Sequence, residues 1–366
     1  MRVLQVIGTF DIGGAETMLV NLLESGMEFD ACAVIPDTGA YESRMNGLGC
    51  KTYHLTRRSK SMLKHHAELF KIIHDGKYDV VHFHTQNSFL TYLHVLTAKA
   101  AGAKVIAVHS HNTSDWRSKD KKKLNMQWQK PLYKTCDIRL ACGYAAAEWL
   151  YGTTEGVEIL PLPINTSKFL STNQKRMELR TKFRIDSKDI VLLHVGSFRD
   201  AKNQKYLIES IAPAIAKHKH LKLFLIGNGP LQEDAKCLVH NLGITANVCF
   251  LGNLQDPSPY YIIADGFFLP SKYEGFPTVL LEAQAAGLQC AASDTIDKDV
   301  DIANAIDFLP ITEDKKVLWG IEAEIAMANP ENVRKKMNQK IAERYDVSIV
   351  KERLEALYQN ALNAKK

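Results

Sequence analysis

The sequence predicts an α/β protein made of two doubly wound parallel-sheet domains, and three observations lead there. Short β-rich apolar runs alternate with helical patterns from end to end, the mark of parallel α/β layers. That alternation breaks at Pro161 and Pro163, runs through a polar, basic stretch to about 189, and restarts at Ile190. The 366 residues are also more than one ordinary core accommodates. We therefore expect a first domain over 1–165, a second over 166–345, and a terminal helix over 346–366 that returns to the first.

In the first half, strands fit Val3–Ile7, Ala31–Ile35, Thr52–Leu55, Val80–His84, Val105–His109 and Ile138–Ala141. Helical spacing is clearest at Ala15–Leu23 and Ser61–His74. The stretch 161–189 reads as a linker and the entry to the second domain. There, strands fit Ile190–Val195, Leu221–Ile226, Val248–Leu251 and Phe267–Leu269. Helices fit Tyr206–Ala216, Leu231–Leu242 and Val279–Ala286. From Glu331 the pattern is helical, ending with Val350, Leu354, Leu357, Tyr358 and Leu362 on one face. Two such domains imply a ligand cleft at the carboxyl ends of both sheets.

Composition narrows the function. A net charge of +5 makes no case for nucleic acid. Seven scattered Cys without a Cys-x-x-Cys pair suit buried thiols in a reducing compartment, and oppose a disulfide frame or a structural zinc. The opening strand is too short and interrupted for a signal peptide, and no apolar stretch spans a bilayer. The expected location is the cytoplasm, with any membrane contact peripheral, at the inner face.

The chemistry concentrates at strand ends. Gly13-Gly14-Ala15-Glu16 follows the first strand and opens a helix; it permits close backbone approach to a ligand or is an ordinary turn. It lacks the Gly-x-Gly-x-x-Gly spacing of dinucleotide sites. Val195-Gly196-Ser197-Phe198-Arg199-Asp200-Ala201-Lys202 follows the first strand of the second domain, where Arg199 and Lys202 suit a diphosphate clamp. Gly227-Asn228-Gly229-Pro230 is a strand-to-helix turn, structural or ligand-facing. His82 and His84 end one strand, and His109 and His111 the next. A metal site there lacks a nearby acidic residue or Cys, so we expect no metal, and a substrate contact by His109.

The densest signal is Ser271-Lys272-Tyr273-Glu274-Gly275-Phe276-Pro277-Thr278-Val279-Leu280-Leu281-Glu282-Ala283. Gly275 lets the backbone approach a ligand. Phe276 continues the turn, and Pro277 suits the first helical position. The amides of Thr278 and Val279 then lie where an anion binds best. Glu274 and Glu282 bracket that point, offering carboxylates for hydroxyls beside amides for phosphate. A nucleotide-sugar carries both.

Two basic clusters remain. One is Arg57, Arg58, Lys60 and Lys64. The other, Arg117 to Lys123, contains Lys121, Lys122 and Lys123 and continues into a helical pattern. A solvated face explains most such runs. With Trp116 and Trp128 nearby, contact with anionic lipid or a lipid-borne acceptor is the other reading.

Taken together, these residues resemble glycosyltransferase family four, a retaining family of GT-B fold, over nearly the whole chain. The specific part is Glu274-x(7)-Glu282 in its Pro-Ser-Lys-Tyr-Glu-Gly-Phe-Pro-Thr-Val-Leu-Leu-Glu-Ala setting, and His-Ser-His-Asn at 109–112 is shared with capsule and exopolysaccharide transferases. The resemblance implies that Gly14 approaches the donor diphosphate, His109 contacts the transferred sugar, Lys202 binds the diphosphate, Glu274 lies near the sugar hydroxyls and Glu282 holds the ribose. Ser197 stands where the family usually has Arg, and Arg199 is the available substitute. Gln289 departs from a common Gly-Leu-Pro and should affect a turn.

The implied donor is a UDP-sugar and the implied acceptor a saccharide, one borne on a polyprenyl diphosphate in particular. No cofactor is expected, because Lys202, Arg199 and helix-end amides supply positive charge for phosphate departure. Retention by front-face attack needs no protein nucleophile, unlike a retaining glycosidase. Two alternatives share the architecture: a non-hydrolysing UDP-sugar epimerase, and a non-catalytic partner subunit.

Overall fold

The computed structural model describes residues 1–85, 87–111, 119–326 and 328–365, the side chains of 119–122 excepted. The chain divides into two compact units, Met1–Pro163 with Val347–Lys366, and Ile164–Asp346.

The first unit is built on strands β1 (Val3–Ile7), β2 (Asp30–Ala33), β3 (Thr52–His54), β4 (Val80–Thr85), β5 (Val105–Ser110), β6 (Ile138–Ala141) and β7 (Glu158–Ile159). All pair in parallel, in the order β3-β2-β1-β4-β5-β6-β7. Val80, Val81 and Phe83 on β4 and Val105 to Val108 on β5 are buried on both faces, as a helix-covered sheet requires. The helix Val347–Asn363 belongs to this unit. It buries Val347, Val350, Leu354 and Tyr358, while Leu357 and Leu362 stay half-exposed. Lys351 Nζ donates to the Ser25 carbonyl at 2.9 Å, and Lys365 Nζ meets Asp137 at 2.9 Å.

The second unit holds β8 (Ile190–Val195), β9 (Leu221–Ile226), β10 (Val248–Gly252), β11 (Gly266–Leu269), β12 (Gln289–Ser293) and β13 (Ile306–Leu309). They too are parallel, in the order β10-β9-β8-β11-β12-β13. In each unit strand order reverses once, between β1 and β4 and between β8 and β11, and ligands of such sheets bind beyond the carboxyl ends at that switch point. The loops after β8 and β11 are therefore neighbours.

Three expectations need correction. The polar stretch 161–189 is not all linker: Asn173–Lys182 is a helix. Its Arg176 donates to Asp265 at 2.7 Å and to the Ala264 carbonyl at 2.6 Å, and Arg180 reaches the same carboxylate at 3.2 Å. Its two arginines bind to the groups around Asp265 instead of facing solvent, while Lys175 and Lys182 are exposed. Strand β12 escapes sequence reading because Gln289-Cys290-Ala291-Ala292-Ser293 has no β-branched residue, and β13 because Ile306–Leu309 is only 4 residues long. Gln289 opens β12, donating to Asp307 at 3.1 Å, and forms no turn. Lastly, five cysteines are buried, but Cys237 is exposed and Cys249 half-buried.

Candidate functional site

Beyond β8 the chain turns through Gly196 and Ser197 into a short 3-10 turn, Asp200–Lys202, and then the helix Gln204–Lys217. Asn203 between them is left-handed at φ 56° and donates to the Pro270 carbonyl at 3.2 Å. The Lys272 amide donates to the Ala201 carbonyl at 2.8 Å, and Lys272 Nζ pairs with Asp200 at 2.6 Å. These bonds strap the loop after β8 to the loop after β11.

At the centre of the strap, Lys202 Nζ lies 2.5 Å from Glu274 Oε1, and Ser271 Oγ donates to the same oxygen at 2.6 Å. Lys202 and Glu274 are 72 positions apart in sequence. An ammonium carries three donors, so one bond to Glu274 leaves two for an anion. The neighbouring helix, Thr278–Ala285, has no side-chain cap. Pro277 occupies the N-cap with ψ 91° and not the expected first helical position, and the helix starts at Thr278, one residue before the expected Val279. The Thr278 and Val279 amides are the orphan donors of that first turn. They place partial positive charge at the start of that helix, four residues after Glu274. Gly275 and Phe276 are half-buried, and the Phe276 ring stacks on Tyr345 at 6.0 Å between centroids.

Glu282 lies further along this helix, half-buried. Burial pushes its carboxyl up to about 7; the Tyr261 hydroxyl and Lys168 work against that rise, and Asp256 adds to it. Arg199 is exposed and its side chain has no partner among the described residues, so it is free to meet an anion, the part expected of the arginine that Ser197 replaces.

The glycine turn after β9 has a structural cause. A Cβ at Gly227, where φ is 131°, would lie 2.2 Å from the Gly196 carbonyl oxygen, and one at Gly229 2.4 Å from that of Phe198. Both glycines let the turns after β8 and β9 cross backbone to backbone.

In the first unit, Gly14 opens the helix Gly14–Glu24 and is exposed. A Cβ there would meet only Leu162, at 3.4 Å. Glu16 folds back beneath Gly13, and burial raises its carboxyl to about 7. His109 is fully buried, its Nε2 3.1 Å from the Leu160 carbonyl. Burial lowers it to about 3, so the imidazole is neutral. It touches His82, His84 and His111 and is no open surface group.

Trp116 and the side chains of Lys121 and Lys122 lie outside the described residues. Lys123 is exposed. Trp128 is half-buried and packs against Phe89 and Tyr92, with ring centroids 5.1 and 5.0 Å away. Sequence reading also missed Asn125, fully buried, which accepts from the Ser88 amide at 2.6 Å and donates to the Trp149 carbonyl at 2.9 Å. A lone Asn in a lysine-rich helix gives no signal of that role. Ser271, buried beside Glu274, stood inside the central motif but was not singled out.

Two family models match the chain: Glycosyltransferase Family 4 over residues 12–168 and Glycosyl transferases group 1 over 175–304. The glycosyltransferase-type protein EpsF of Bacillus subtilis (strain 168) is 31% identical over 316 residues, covering 82% of this chain and 81% of its own. The Escherichia coli UDP-Gal:alpha-D-GlcNAc-diphosphoundecaprenol alpha-1,3-galactosyltransferase is 25% identical, covering 70% of this chain and 67% of its own. Among solved structures, Anabaena HepE in complex with UDP and glucose superposes with a TM-score of 0.79 at 16% identity, covering 98% of this chain and all of that one. At that identity the likeness is one of fold.

Proposed function

The chain belongs to glycosyltransferase family four, of GT-B fold, and on that premise we propose that it moves a hexose or N-acetylhexosamine from a UDP-sugar to a saccharide acceptor, with retention of anomeric configuration, in the assembly of a cell-surface polysaccharide. The observation that carries this reading is the Lys202–Glu274 contact beside the uncapped start of the Thr278–Ala285 helix.

In this reading Lys202, Arg199 and the Thr278 and Val279 amides hold the donor diphosphate, and stabilise the charge that grows as the glycosidic bond to phosphate breaks. Glu274 orients Lys202 and receives sugar hydroxyls. Glu282 accepts from the ribose hydroxyls. Gly275 lets backbone approach the donor. The leaving phosphate helps take the acceptor proton, so no protein nucleophile is required. The UDP bound in HepE and the UDP-Gal donor in the name of the Escherichia coli relative support the choice of nucleotide. That name also specifies a diphosphoundecaprenol-linked acceptor, which supports a polyprenyl-diphosphate-linked saccharide here. A screen of UDP-sugars against lipid-linked saccharides tests the proposal. Turnover with an unchanged anomeric centre is the expected result; inversion, or conversion of donor without acceptor, contradicts it.

A lipid-borne acceptor places the enzyme against the inner face of the cell membrane, although no described helix is long and apolar enough to cross one. The helix Met62–Gly76 supports peripheral contact: Leu63 is 87% exposed, Met62 and Phe70 are exposed too, and Lys64 and Lys71 lie among them. Each cation near an anionic surface contributes about 1 kcal/mol. Leu63→Glu with Lys64→Glu is expected to lower binding to phosphatidylglycerol vesicles by about tenfold or more. Unchanged co-sedimentation would remove membrane contact from the proposal.

A further inference from the structure

Alternate residues of a strand share a face, and parallel register puts Gln5 of β1 beside His82 of β4, and His84 of β4 beside His109 of β5. The helix Val347–Asn363, from the far end of the chain, lays Tyr358 on this face. All five side chains are buried, and His111 follows two residues after His109. Burial lowers all four histidines, so each imidazole is neutral and carries one N–H.

One N–H per ring makes the hydrogen bonds directional. Gln5 Nε2 donates to the Tyr358 oxygen at 3.3 Å, and Gln5 Oε1 accepts from His84 Nε2 at 2.8 Å. His84 Nδ1 is therefore bare and accepts from His111 Nε2 at 2.8 Å, which leaves His111 Nδ1 bare. The Tyr358 hydroxyl, having accepted from Gln5, donates to His82 Nδ1 at 2.6 Å, so His82 carries its proton on Nε2. His109 Nε2 donates to the Leu160 carbonyl, leaving Nδ1 bare. The chain of bonds ends in two buried nitrogens with no partner among the described residues, His82 Nε2 and His111 Nδ1, and His109 Nδ1 beside it is unpartnered too. Turning the Gln5 amide over would reverse the tautomers of His82, His84 and His111.

We propose that Gln5 and Tyr358 are positioning residues that hold His82, His84 and His111 in the Nε2–H form, so that His111 offers a bare Nδ1 to a carbohydrate hydroxyl just beyond β5, beside His109, whose tautomer the Leu160 carbonyl sets; this rests on the glycosyl-transfer reading above. The bond made by one imidazole nitrogen sets the state of the other. His82, His84 and His109 also have nitrogens within 4.8 Å of one another, as a metal site would. Both nitrogens of His84 are already engaged, however, so a metal ion would have to break the relay.

Long-range 1H–15N spectra of histidine-labelled protein, without substrate, read the tautomers directly. The relay predicts Nε2–H at all four positions in the wild type, and mixed tautomers at His84 and His111 in Gln5→Met. Tyr358→Phe, which removes only a hydroxyl, should alter the His82 signals. In a transfer assay both variants are expected to lose kcat by about tenfold or more, the usual cost of losing such a supporting bond, while KM for the donor stays within about twofold. Nδ1–H at His84 or His111 in the wild type, Zn2+ at stoichiometric concentration shifting the same resonances, or full kcat in both folded variants would overturn the relay. A wild type inactive with every nucleotide-sugar would overturn the functional reading instead, while the tautomer spectra still decide whether the relay exists.

Discussion

Replacing Lys202 with Ala is expected to reduce sugar transfer by about a hundredfold to a thousandfold, the cost of removing one preorganised charge from a site where negative charge develops. The loss should fall on kcat/KM for the donor and be shared by kcat, because the ammonium meets charge that grows during bond cleavage. The fold should survive. Lys202 closes no core, Ser271 still donates to Glu274, and the Lys272 amide still straps the two loops together. Comparing the variant with wild type by initial rates and thermal melting separates chemistry from folding. Glu274→Gln provides the counterpart: it keeps the loop but frees the ammonium, so donor affinity should fall less than in Lys202→Ala. Wild-type turnover in a folded Lys202→Ala protein would remove the diphosphate role.

The second large effect concerns Glu282 and pH. Its carboxyl is raised from 4.5 to about 7, chiefly by burial. Between those values the folded chain keeps a proton that the unfolded chain has released. Stability contributed by this group is therefore full below pH 4.5 and declines as pH rises through the window to about 7. Glu282→Gln carries no ionisable proton and should melt higher than wild type at pH 8, the two converging near pH 4.5. Ligand binding should show the opposite trend. Ribose hydroxyls donate to the ionised carboxylate, so wild-type affinity for UDP should increase from pH 6 to pH 8 relative to Glu282→Gln. At pH 8 the variant should bind about ten- to a hundredfold more weakly, the worth of hydrogen bonds to a charged group. Parallel pH profiles for the two proteins would show that Glu282 does not meet the nucleotide.

The fold class was legible because alternating strand and helix patterns are a property of local sequence. Ile190–Val195 and Leu221–Ile226 could be read to the residue from their apolar runs. Strands β7, β12 and β13 could not, being short or made of Ala, Cys and Ser, and held mainly by their neighbours in the sheet. The helix Asn173–Lys182 was hidden for a related reason, since Arg176 and Arg180 look solvent-bound until Asp265 and five carbonyls enclose them. Lys202 and Glu274 each stood out as residues at strand ends, but their contact follows from β8 and β11 being neighbours, which no local pattern encodes. His82, His84, His109 and His111 were visible as a strand-end group. Their fixed bonding comes from residues distant in sequence, Gln5, Leu160 and Tyr358, the last more than 240 residues further along than His109–His111, so the sequence alone could not reveal it. The crossing of the Gly196 and Gly227 turns is likewise a tertiary fact, and it explains two glycines whose role local sequence left open.

Titration calorimetry of UDP into the wild-type and Lys202→Ala proteins, at pH 8 and without added metal, tests the central claim most directly. The account predicts saturable one-to-one binding to wild type and a loss of about tenfold to a hundredfold or more in the variant, as expected for a charge-assisted diphosphate contact. No heat with the wild type, or equal affinity in both proteins, would contradict it.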